Sequence, residues 1–66
     1  MDFTYYIKQR HDGKWIPVAE EDFAAIIGDY SVMYAHMMLT AIKGHIHLDA
    51  TLIIETMDDE YKIVLN

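Results

Sequence analysis

Between Tyr30 and Ile42 the chain runs thirteen residues without a charge, Tyr-Ser-Val-Met-Tyr-Ala-His-Met-Met-Leu-Thr-Ala-Ile, and this run constrains the fold most. At 100° per residue, residues 32 to 43 spread their apolar side chains over roughly 300° of a helical wheel. Only His36, Thr40 and Lys43 fall in the remaining polar arc. Such a helix needs cover on nearly every side. A chain of 66 residues buries only about 60% of its unfolded surface, too little to wrap one helix completely. The surplus arc, centred near Met33, Met37 and Ala41 and flanked by Tyr34 and Met38, is expected to be a homodimer or partner interface. Flexible thioethers suit such a surface.

The uncharged run is shorter than the ~20 residues that span a bilayer. The start, Met1-Asp2-Phe3-Thr4, has neither the basic nor the apolar region of a signal peptide. With no Cys, folding relies on packing alone, which suits a reducing cytoplasm. A soluble cytoplasmic protein with no membrane association is expected, folded as a single domain over residues 1–66.

Phe3 to Arg10 is rich in aromatic and β-branched residues and leads through Asp12-Gly13 into Lys14-Trp15-Ile16-Pro17-Val18, the pattern of a β-hairpin. A two-residue Asp12-Gly13 loop would set His11 opposite Lys14, Arg10 opposite Trp15, Gln9 opposite Ile16 and Ile7 opposite Val18. Tyr5, Ile7, Ile16 and Val18 then share a core face, and Tyr6, Lys8, Arg10 and Trp15 share the other. Glu20-Glu21-Asp22 supplies negative charge for a first helical turn, so a short helix is expected over about 20–27, with Gly28 ending it. A long helix follows, capped by Asp29 or Ser31, running to Lys43 and stopped by Gly44. From His45 the period becomes two, with Ile46, Leu48, Ala50, Leu52 and Ile54 on one face of a strand. Met57-Asp58-Asp59-Glu60 turns the chain back, with Glu55 facing Lys62, Ile54 facing Ile63 and Leu52 facing Leu65. The fold class is α+β: a four-stranded, mainly antiparallel sheet of two hairpins with a short and a long helix between them, in the order ββααββ.

Few residues are arranged for chemistry. Ser31 is the only Ser, there is no Cys, and the three glycines are scattered, so neither a nucleophile nor a phosphate loop is indicated. His45, His47 and Asp49 would share one strand face, where they form an alternative metal site or metal-dependent active centre, with His36 joining if the helix end folds back. The simpler expectation, and the one preferred, is that they are the solvent-facing positions of an ordinary strand, with no metal bound. Tyr6, Arg10 and Trp15 make a possible contact face of the kind enriched at protein hot spots.

Charge points to the partner. Residues 1 to 18 carry +1 and residues 19 to 66 carry −7, for the net −6. Direct nucleic-acid binding is disfavoured and basic proteins are favoured. A non-catalytic protein-binding module without cofactor is expected, whose acids Glu20, Glu21, Asp22, Asp58, Asp59 and Glu60 occupy a basic, nucleic-acid-binding site. In size and charge the chain resembles the small acidic inhibitors that phages and mobile elements direct against restriction or CRISPR systems. That likeness involves no motif. A third expectation is a structural subunit whose apolar helix docks into a larger assembly.

Overall fold

The computed structural model describes residues 2–10, 12–46 and 48–66. Its elements are β1 (Phe3–Gln9), β2 (Ile16–Val18), α1 (Glu20–Ile27), α2 (Asp29–Ile46), β3 (Ala50–Glu55) and β4 (Asp59–Leu65), the expected ββααββ order. All strand pairs are antiparallel, in the order β2-β1-β4-β3, so the first and last strands form the middle of the sheet. Both helices pack on one face and leave the other face open. The core joins Tyr5, Tyr61, Ile63, Leu65 and Ala50 of the sheet to Phe23 of α1 and Val32, Ala35 and Leu39 of α2.

The helices start and stop for local reasons. Three acids in its first turn favour α1, whose N-cap, Ala19, makes no side-chain bond. Gly28 ends it at φ 96°, its N–H donating to the Ala24 carbonyl at 2.8 Å, while its own carbonyl accepts the Val32 N–H at 3.2 Å. One glycine thus closes α1 and opens α2. The expected stop of α2 at Gly44 is corrected: the helix continues to Ile46. Ile46 at its end is 43% exposed, and Lys43 holds the exit by donating to the Leu48 carbonyl at 2.9 Å. A lone glycine costs a helix only about 1 kcal/mol, so Gly44 does not by itself stop α2.

Both hairpin registers differ from the expected ones by two residues. In the first, Ile7 faces Ile16 and Tyr5 faces Val18. Asp12 does not sit in a two-residue loop: its N–H and that of Gly13 donate to the Gln9 carbonyl, and its carboxylate accepts the Lys14 N–H at 3.0 Å, making a longer turn. The expected His11 pairing lies outside the described residues. Ile16, at the sheet edge beyond the helices, is 50% exposed rather than core. In the second hairpin Leu52 faces Ile63, Ile54 faces Tyr61 and Glu55 faces Glu60. The turn comes one residue early because Thr56 closes it, its N–H donating to the Asp59 carbonyl and its hydroxyl accepting the Asp59 N–H. Even shifts preserve the inward and outward alternation, so the buried faces survive.

Candidate functional site

The long helix presents two opposite faces. Val32, Ala35 and Leu39 point into the core; on the opposite face Tyr30, Tyr34 and Met37 stand 80%, 61% and 66% exposed, and Met33, at its edge toward α1, is 52% exposed. Ala41 and Gly44 continue that outer ridge and are also exposed. Met38 turns to the β3 flank instead, where it is half-buried beside Leu52 and Ile54. Of the five expected interface residues, the structure therefore sets Met33, Tyr34, Met37 and Ala41 on one open ridge. A contiguous apolar surface of this kind marks a contact site more often than a neutral surface.

On its other flank α2 meets α1 across a cleft of about 340 Å³ lined by Glu20, Glu21, Ala24, Asp29, Val32, Met33 and His36. The floor is apolar and the rim carries three carboxylates. At its inner end Tyr5 donates its hydroxyl to Glu20 Oε1 at 2.8 Å, and His36 Nε2 lies 2.6 Å from the same hydroxyl. The single phenol proton is committed to Glu20, so His36 must supply the hydrogen of the second bond. The imidazole stacks on Phe3 with centroids 3.9 Å apart. Burial first, and then the Glu20 carboxylate, raise the Tyr5 pKa far above its ordinary value. Tyr5 is held neutral and serves as a tie between β1, α1 and α2, not as a base.

The open sheet face is built differently. Trp15 lies between Lys8 and Lys62, whose ammonium groups sit 4.8 and 4.4 Å from its ring, and Lys62 also covers Tyr6 at 4.6 Å. Lys8 pairs with Glu60 at 2.9 Å and Arg10 with Glu55 at 3.4 Å. Arg10, expected opposite Trp15, instead pairs with Glu55, and the two lysines flank the indole. Lys62 could not be nominated from the sequence because it reaches Trp15 across β1. His36 was legible only as a polar interruption of an apolar arc.

The acids expected to act together are divided. Glu20, Glu21 and Asp22 stand in the first turn of α1. Asp58 lies in the β3–β4 turn, Asp59 accepts the Tyr61 hydroxyl at 3.4 Å, and Glu60 is on the open face with Lys8. Burial, with Asp59 beside it, raises the Tyr61 pKa. Among the described residues no cation is paired with Glu21, Asp22 or Asp29.

The proposed strand bearing His45, His47 and Asp49 is not formed. His45 belongs to the last turn of α2, Asp49 precedes β3 and lies 3.7 Å from Lys43, and His47 is outside the described residues. Their shared face depended on a strand beginning at His45. Among the described residues no group of three His, Cys, Asp or Glu could hold a metal ion, and no helix is long and apolar enough to cross a membrane. Comparison with protein-family models, curated proteins and solved structures finds no match for this chain.

Proposed function

We propose that this chain is a small non-catalytic module of the cytoplasm that binds a basic protein, inhibiting or regulating it at a surface built for nucleic acid. The observation that carries this reading is the α1–α2 cleft. Glu20, Glu21 and Asp29 rim an apolar floor of Ala24, Val32 and Met33. A partner's Arg or Lys can lay its aliphatic stem on that floor and bring its charge to the rim. The net charge of −6 would speed encounter with such a partner and repel free nucleic acid. Glu60 is neutralised by Lys8 on the opposite face, so the binding acids are those that line the cleft, Glu20 and Glu21 of the expected six joined by Asp29.

An oligoarginine peptide titrated into isotopically labelled protein tests this. Amide signals of residues 20–24 and 29–33 should move, the affinity should fall as salt rises, and Glu21→Lys with Asp29→Lys should abolish the shifts. Absence of binding, or shifts confined to Asp58–Glu60, would overturn it.

A further inference from the structure

We infer that the outer ridge of α2 is covered by a second copy of this chain, the two helices packing antiparallel about a twofold axis. The ridge residues Tyr30, Tyr34, Met37 and Ala41 are spaced four, three and four apart. That is the seam spacing of a coiled coil, in which every side chain recurs on one face. In an antiparallel pair the two ends of such a seam meet each other. With the axis passing between residues 35 and 36, Tyr30 of one copy lies against Ala41 of the other, and Tyr34 lies against Met37. The largest side chain meets the smallest at each end, and an aromatic ring meets a thioether at each of the two inner levels. A self-complementary pattern of this kind needs no other chain to complete it.

Area and charge agree with this occupant. Tyr30, Tyr34, Met37 and Ala41 expose on the order of 500 Å² per copy, the apolar centre of an interface whose standard size is ~800 Å² per partner. No carboxylate stands on the outer face between Tyr30 and Gly44, although the chain is strongly acidic. A basic partner would have required acids there. The twofold axis also sets the α1 flanks of both copies on the same side of the seam, so the two acidic clefts join into one elongated surface. The dimer itself does not depend on what those acids bind.

Sedimentation equilibrium without any added ligand should give twice the 7.7 kDa of the chain. The dimer should tighten as salt screens its self-repulsion, the opposite of the oligoarginine response. Met37→Glu, at an exposed position, should weaken association by more than about tenfold while leaving the circular dichroism unchanged. Since the chain has no Cys, register can be read directly: Tyr30→Cys combined with Ala41→Cys should give an oxidised covalent dimer. Within one helix those positions are about 16 Å apart and cannot bridge. Ala41→Cys alone should stay uncrosslinked. A monomer mass at high micromolar concentration, or cross-linking through Ala41→Cys alone, would overturn the inference.

Discussion

Glu55 and Glu60 face each other as register partners across β3 and β4, two like charges set directly opposite. They are tolerated because each has its own cation from the neighbouring region of the chain, Arg10 for Glu55 and Lys8 for Glu60. Glu60 is the more buried of the two, so its pairing carries more weight than the solvent-screened Arg10–Glu55 contact. Lys8→Met is expected to lower unfolding free energy by about 1–2 kcal/mol. Adding Glu60→Gln should restore part of that loss in a urea double-mutant cycle; strictly additive costs would show that the pair is not coupled.

The Tyr5 hydroxyl ties together Glu20 and His36, and Tyr5→Phe leaves both without that partner. The expected cost is about 1–2 kcal/mol at neutral pH. Alkaline pH gives a second reading. The folded phenol keeps its proton at a pH where the unfolded one, near its ordinary value of 10.0, has lost it. The folded state then binds more protons, so stability is fully present below pH 10.0 and declines above it, by up to about 1.4 kcal/mol per pH unit for one such group. Tyr61 acts in the same direction. Tyr5→Phe should flatten the alkaline limb of a thermal-denaturation series, and an unchanged limb would remove Tyr5 from the account.

The glycine between the helices and the one near the end of α2 should respond oppositely to alanine. Gly28 holds φ 96°, and a Cβ there would meet nothing within 4 Å, so Gly28→Ala loses stability through backbone strain alone, about 1 kcal/mol. Gly44 is helical with equally open surroundings, so Gly44→Ala should gain about 0.5–1 kcal/mol. Chemical denaturation of both variants checks the sign of each change.

The opposite faces of α2 should separate packing from contact. Leu39 is completely buried, and Leu39→Ala is expected to cost about 2–5 kcal/mol. Met37→Ala, at dilute concentrations where the chain is monomeric, should change unfolding free energy by less than about 0.5 kcal/mol. Equal losses would place Met37 in the monomer core.

The elements were legible where local chemistry marks both ends. Glu20-Glu21-Asp22 and Gly28 bracket α1 at its observed bounds. Register was not legible, because Ile7 opposite Ile16 and Ile7 opposite Val18 bury the same faces, and only the Asp12 and Thr56 turn bonds decide between them. The stretch from His45 to Leu48 alternates too briefly to distinguish a strand from a helix end. The outer ridge at Met33, Tyr34, Met37 and Ala41 could be found by subtraction, since one sheet and one short helix cannot cover the whole arc. The clamp of Lys62 on Trp15 could not, because it follows from strand order.

That strand order also governs how the chain can fold as it is synthesised. Phe3 pairs with Leu65, and the Asn66 N–H reaches the Asp2 carbonyl at 3.0 Å, so the earliest strand waits for the latest. Until β4 leaves the ribosome, β1 keeps an unpaired edge and Phe23 and Leu39 have no Ile63 or Leu65 to cover them. The nascent chain through β3 therefore has no closed core. Closing the core waits for β4 and requires closure of the long loop from Phe3 to Leu65. A ribosome stalled within β4 would hold an open, adhesive intermediate.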